Sequence, residues 1–148
     1  MSDDLHDVLE LAMSRLLRLR GVLDPSQASP SLGLSVSESL ALARLAAGPA
    51  TQHELGAYLG LEKSTVSRLV HGMMQKGWVE KERDPRNRRF QKVALTVAGE
   101  QTAARTREAM RAQHARWLDT LTADERRALA HGLGALVRAI SADPGPTR

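Results

Sequence analysis

The apolar positions of this 148-residue chain recur in steps of three and four along most of its length, and in steps of two at one place only. From Asp3 to Leu19 the apolar residues are Leu5, Val8, Leu9, Ala12, Leu16 and Leu19, one stripe on a helix whose positive end carries two aspartates. The stretch "GVLDPSQASPSLG" is broken by Gly21, Pro25, Pro30 and Gly33 and predicts a loop. Three further helix starts share one chemistry. Ser35 precedes Glu38 by three residues, Thr51 precedes Glu54, and Thr122 precedes Glu125. In each, the hydroxyl can cap the N–H three residues on while the carboxylate reaches back. They predict helices from Val36 to Ala47, stopped by Gly48-Pro49, from Gln52 to Leu59, stopped by Gly60, and from Ala123 to Ile140 with Leu129, Leu133, Leu136, Val137 and Ile140 as its stripe.

Between these lies "LEKSTVSRLVHGMMQKGWVE". Val66, Leu69, Val70, Met73 and Met74 share one helical face, and Ser64, Arg68, His71 and Gln75 the opposite one. Gly77 is placed to end this helix. The period then changes to two: Trp78 to Arg83 and Phe90 to Thr96 read as short strands, joined by the hairpin connection "DPRNRR". A long alanine-rich helix from Val97 to Leu118 follows, and the tail "ADPGPTR" is expected to fray. The fold class is therefore mainly α with a small β-hairpin wing. Helix, helix, hairpin in this order is a winged helix-turn-helix, in which one helix braces a second whose polar face can enter a major groove.

Charge supports that reading. Net charge is only +4. From Glu62 to Lys92, however, nine cations stand against four carboxylates, so this window carries +5 and the rest of the chain about −1. Localised basicity is the electrostatic footprint of a polyanion partner; the alternative is a solvated face that binds nothing. Lys63, Ser64, Thr65, Ser67 and Arg68 are the groove-facing candidates of the recognition helix, Arg68 having the fork that matches guanine O6 and N7.

Composition mainly excludes. There is no cysteine, hence no disulfide, thiolate metal site or thiol redox sensor. With four aromatic residues, the core must be Leu, Val and Ala. The five histidines show no paired metal spacing, although His6 with Asp7 or Glu10 could share a helix face and His114 and His131 could meet in space. No glycine-rich phosphate loop or nucleophile signature appears, so neither an enzyme, a cofactor nor a metal is expected. The acidic N-terminus lacks an apolar run, and no stretch is long and apolar enough for a membrane span. A cytoplasmic protein is the simplest reading.

The central block "LGLEKSTVSRLVHGMMQKGWVEKERDPRNRRFQKVALTVAGEQ" resembles the MarR-type winged helix-turn-helix transcriptional regulators. "STVSRLV" is similar to that family's recognition-helix core. Asp84, Arg86 and Arg89 meet its Asp-x-Arg-x-x-Arg wing signature, and "VALTVAG" its strand end followed by Leu-Thr-x-x-Gly. The likeness extends over roughly residues 5 to 140. It implies a single domain over 1–148, with a DNA-binding lobe at about 34–96 and dimerisation helices at 3–20 and 97–141. It implies a homodimer, most often a repressor, that binds a palindromic site on double-stranded DNA and is released by a small aromatic or phenolic ligand. It places Arg86 in the minor groove. Asp84 is then expected to brace Arg86 or Arg89 by a charge-assisted bond, its plainer reading being a turn residue, and Arg88 and Arg89 to contact phosphates. For a ligand, His6, Arg15, Arg18 and Trp117 are the candidates, each with a plainer reading as surface charge or core filler. This chain is short of aromatics in the first helix and loop, where some members line a ligand pocket. The competing function is non-specific or nucleoid-type DNA binding on the same fold.

Overall fold

The computed structural model describes residues 2–19, 33–87 and 89–144. Along the chain run α1 (Ser2–Leu19), α2 (Val36–Ala46), β1 (Ala50–Thr51), α3 (Gln52–Leu59), α4 (Lys63–Gln75), β2 (Val79–Arg83), β3 (Gln91–Leu95), α5 (Val97–Asp119) and α6 (Ala123–Ala142). Most of the loop expected before α2, and the last four residues of the expected tail, lie outside the described residues. The chain forms two compact units, one up to Arg107 and one from Glu108 onward.

All three capping boxes form. Ser35 Oγ accepts from the Glu38 N–H, Thr51 Oγ1 from that of Glu54 and Thr122 Oγ1 from that of Glu125, each with the reciprocal bond. Those reciprocal N–H bonds, from Thr51 and Thr122, hold the Glu54 and Glu125 carboxyls below their usual range. The core of the first unit is aliphatic: Leu34, Leu42 and Leu45 from the α2 region, Leu55 from α3, Val66, Val70 and Met73 from α4, Val79 and Val93 from the sheet.

Two features depart from the sequence reading. The expected hairpin of β2 and β3 forms, but β1 adds a third strand to it, so that the sheet order is β1-β3-β2, all antiparallel. A two-residue strand leaves no periodicity to read; only its pairing with Val93 and Lys92 defines it. Met74 is 39% exposed rather than on the core face. The buried row of α4 is Val66, Val70 and Met73, and a further step of 100° carries Met74 to its edge.

One junction ties the wing to its neighbours. At the end of α4 the Trp78 N–H donates to the Met73 carbonyl (3.0 Å) and the Gly77 N–H to that of Met74 (2.9 Å), with Gly77 at φ 73. This is the paired-bond helix stop that favours glycine in the left-handed region. The Trp78 carbonyl accepts from the Thr96 N–H at 3.0 Å. Thr96 Oγ1 donates to the Gly77 carbonyl (2.5 Å) and accepts from the Gly99 N–H (3.0 Å), capping α5. A Cβ on Gly99 would lie 1.9 Å from the Trp78 carbonyl oxygen. The Leu-Thr-x-x-Gly pattern thus encodes a cap and a close approach. Further along α5, the buried Thr102 and Thr106 hydroxyls donate to the Ala98 and Thr102 carbonyls.

In the second unit, Arg126 Nε donates to the carbonyls of Leu118 (2.7 Å) and Leu121 (3.2 Å), closing the turn between α5 and α6. The His114 and Trp117 rings lie 5.4 Å apart.

Gly99→Ala is expected to destabilise the fold by about 1–3 kcal/mol, the usual cost of overpacking, because a backbone carbonyl cannot rotate away. Gly72→Ala in α4, where an added Cβ meets nothing within 4 Å, is expected to be neutral or to stabilise by up to about 1 kcal/mol. Thermal melts of the two variants check both.

Candidate nucleic-acid interface

The polar face of α4 follows from where its apolar face is spent. With Val66, Val70 and Met73 buried, Ser64, Ser67, Arg68, His71 and Gln75 are exposed and Thr65 is half-buried. Lys63 opens the helix, and Glu62 before it gives no side-chain cap, unlike the residues that open α2, α3 and α6. The first turn of α4 thus places an exposed lysine at a helix start, next to the Glu62 carboxylate. A cleft of about 620 Å³ lies alongside, lined among others by Gln52 and His53 of α3 and by Lys63.

The wing tip is built by backbone capture. The Asp84 N–H donates to the Phe90 carbonyl (3.0 Å), closing the loop. Asp84 Oδ1 accepts from the Arg86 N–H at 2.8 Å, and Asn87 Oδ1 from the Arg89 N–H at 3.2 Å. The Phe90 N–H donates to the Asn87 carbonyl (2.9 Å). Two Asx turns thus set the path of a loop whose arginines repel one another.

Asp84 departs from the expected role. Its carboxylate does not hold the guanidinium of Arg86 or Arg89. One oxygen takes the Arg86 backbone N–H and the other forms an ion pair with Lys92 Nζ at 3.1 Å. Capture by the Arg86 N–H, then by Lys92, keeps the Asp84 carboxyl below its usual range. The physical reason is register. Glu82 pairs with Lys92 across the sheet, so Asp84, two residues on, is diagonal to Lys92 on the same face. No local pattern reports this, because a connection such as 84–90 does not specify which residues oppose one another.

The other sequence candidates fall as follows. Arg86 and Arg89 are exposed at the tip, with Arg83 at its base; Arg88 lies outside the described residues. Among the described residues, Lys63, Arg68, Arg83, Arg86 and Arg89 make no ion pair and no side-chain hydrogen bond. His6, Arg15 and Arg18 are exposed on α1, and Trp117 is 46% exposed on α5. Two clefts of the first unit, the one beside α4 and one of about 380 Å³ at the end of α2, are lined by other residues. Among the described residues no three His, Asp or Glu side chains converge where a metal could sit. No helix among them is long and apolar enough to cross a membrane.

The sequence reading missed a second ion pair. Lys76 Nζ donates to Glu38 Oε1 at 2.6 Å and lies 4.7 Å from the Trp78 ring centre, while Glu38 Oε2 accepts from the Ser35 N–H. It links the end of α4 to the start of α2 across 38 residues of sequence, a span that no local pattern reports.

As Asp84 is depressed, its contribution to the wing turn is fully present above its ordinary value of 3.8 and is lost as pH falls through the lower folded value. Following the Arg86 amide by NMR is expected to give a midpoint below 3.8 and an intact turn at about pH 5. A midpoint at or above 3.8 contradicts this geometry.

Comparison with known proteins agrees with the fold. A sequence model of the MarR family matches residues 32–89. No curated protein matches by sequence. Among solved structures, the chain is similar to a probable transcriptional regulator from Pseudomonas aeruginosa, at 25% identity over 91% of this chain and 98% of that one, with a TM-score of 0.68. It is similar in fold to a MarR family transcription regulator, SP03579, at 24% identity over 95% and 92% of the two chains, with a TM-score of 0.80. It is also similar in fold to Streptococcus pneumoniae FabT, solved in complex with DNA, at 17% identity over 95% and 98%, with a TM-score of 0.73. Residues 32–89, most of the winged lobe, thus match the MarR family, and the chain as a whole is similar in fold to transcription regulators.

Proposed function

We propose that the protein is a sequence-specific regulator that binds double-stranded DNA as a homodimer. In this reading α4 lies in the major groove, where Ser64, Thr65, Ser67 and Arg68 face base edges. Arg86 enters the neighbouring minor groove, and Lys63, Arg88 and Arg89 contact phosphates. The observation that carries the reading is the set of unneutralised cations on one helix face and one loop tip, with small hydroxyls between them. A surface that only solvates itself would be expected to pair some of these charges. Arg68 among hydroxyls favours base reading over a uniform phosphate grip.

The dimer rests on a second observation. Leu5, Val8, Leu9, Leu16 and Leu19 of α1 are exposed, as are Leu129, Leu133, Val137 and Ile140 of α6. Rows of this length on exposed helix faces mark surfaces that another molecule covers, and a second copy supplies matching rows. A symmetric dimer places two recognition helices about 34–36 Å apart and so reads an inverted repeat. Repression of the genes behind that repeat, and release by an aromatic or phenolic anion near Arg15, Arg18, His6 or Trp117, complete the proposal.

Arg68→Ala is expected to relax base preference at one position per half-site by about 1–3 kcal/mol, with little loss on unrelated DNA. Arg86→Ala is expected to weaken operator binding and erase any preference for A·T pairs beneath the wing. Binding to a site selected from random DNA and to scrambled DNA, each titrated with salt, checks both. Equal affinity for the two DNAs at all salt concentrations establishes the nucleoid-type alternative instead.

Leu133→Asp is expected to convert a dimer to a monomer in sedimentation at micromolar concentration and to abolish tight binding to the inverted repeat. A wild-type monomer that binds the repeat tightly contradicts the dimer.

A further inference from the structure

The Asp84–Lys92 pair reaches beyond the turn it closes. Lys92 is the second residue of β3, and its backbone pairs with Thr51 of β1 on one side and Glu82 of β2 on the other. It therefore sits in the most constrained strand of the sheet. Its ammonium lies 3.1 Å from Asp84 Oδ2, while the other oxygen of the same carboxylate fixes the Arg86 N–H at 2.8 Å. The Asp84 side chain is only 17% exposed, at the foot of a loop that is otherwise open. The strand partner of Lys92, Thr51, caps α3, whose Glu54 carboxyl is lowered first by the Thr51 N–H and last by the charge of Lys92. One cation thus links the turn of the wing to the middle strand and lies beside the brace helix.

Its sign matters as much as its place. Asp84 stands among Arg83, Arg86 and Arg89, none of which has an ion-pair partner among the described residues. An unclaimed carboxylate there would draw in a neighbouring guanidinium, because a charge-assisted fork is stronger than a bond to a backbone N–H. Lys92 occupies the oxygen that such a fork needs. The arginines then stay outward and the carboxylate stays on the backbone.

We propose that Lys92 is a positioning residue for DNA recognition: by holding Asp84 it sets the direction of Arg86 and keeps that guanidinium free, without itself contacting DNA. This rests on the reading that Arg86 contacts DNA, and the test separates the two. Lys92→Met, Lys92→Arg and Arg86→Ala are made singly, and Lys92→Met is combined with Arg86→Ala. Affinity for a site selected from random DNA is measured alongside hydrogen exchange at the Arg86 amide, with thermal melts to confirm folding. Lys92→Met is expected to weaken binding about tenfold, the size of one charge-assisted interaction, and to speed exchange at the Arg86 amide. In the Arg86→Ala background the same change is expected to cost less than about twofold, since the two residues act through one contact. Lys92→Arg is expected to restore most of the affinity. Fully additive losses would show that Lys92 grips a phosphate on its own and would overturn the proposal. Unchanged exchange at the Arg86 amide in Lys92→Met overturns it as well. If Arg86→Ala binds as wild type does, the role of Arg86 in DNA binding fails. Faster exchange in Lys92→Met then still shows Lys92 setting the turn, and unchanged exchange removes both.

Discussion

The carbonyl of Trp78 is the point on which the lobe turns. It accepts from Thr96, and Gly99 lets α5 approach it closely enough that no side chain fits between. The end of α4, the start of β2, the end of β3 and the start of α5 therefore meet within a few bonds of one oxygen. In the proposed function α4 and the wing would meet one duplex at once, which requires a fixed angle between them. Here that angle is set by backbone hydrogen bonds and by the lack of a Cβ. Such contacts have few alternative arrangements, whereas a patch of flexible side chains would have many. Lys76 adds a second restraint from the far side, bound to Glu38 and lying near the Trp78 ring.

Around this frame, charge is divided by purpose. Carboxylates are consumed by local structure: Glu38, Glu54 and Glu125 in capping boxes, Asp84 in the wing turn. Cations are split. Lys76 and Lys92 are engaged with Glu38 and Asp84. Those on the α4 face and the wing tip have no such partner among the described residues. Mutual repulsion at the tip would spread a free loop. The two Asx turns oppose it by fixing the backbone and leaving the guanidinium groups alone. The backbone of the tip is thus fixed by the loop's own bonds, so that a partner would have only the side chains left to order.

Much of this was legible in the sequence because it is local. Capping boxes, the α4 stripe and the glycine stop each depend on residues within four or five positions, and Met74 apart they formed where expected. Lys63, Ser64, Ser67, Arg68, Arg86 and Arg89 are exposed on the elements anticipated for them. What escaped is what depends on register or distance. β1 is too short to carry a period. Lys92 looked like one more cation until the pairing of β2 with β3 put it diagonal to Asp84. The Lys76–Glu38 bond spans 38 residues. Met74 shows the limit of a stripe, since a helix buries a narrower arc than the apolar residues it happens to carry.

The exposed rows of α1 and α6 bear on how far the lobe can be considered alone. Leu5, Leu19, Val137 and Ile140 are each more than half exposed. Burying an aliphatic side chain of this size contributes about 1.5–3 kcal/mol. Leaving several uncovered on amphipathic helices forfeits most of what would keep those helices formed. The winged lobe, by contrast, has a buried aliphatic core through Leu42, Leu55, Val66, Val70, Met73 and Val93. The ordering of the outer helices is what would gain from the proposed partner. In the proposed dimer, association would stabilise the helices that set the spacing of the two lobes while leaving each lobe's internal geometry as it is. Protein concentration would then govern whether two recognition helices act on one DNA site, and the Trp78–Thr96–Gly99 junction whether either of them can act at all.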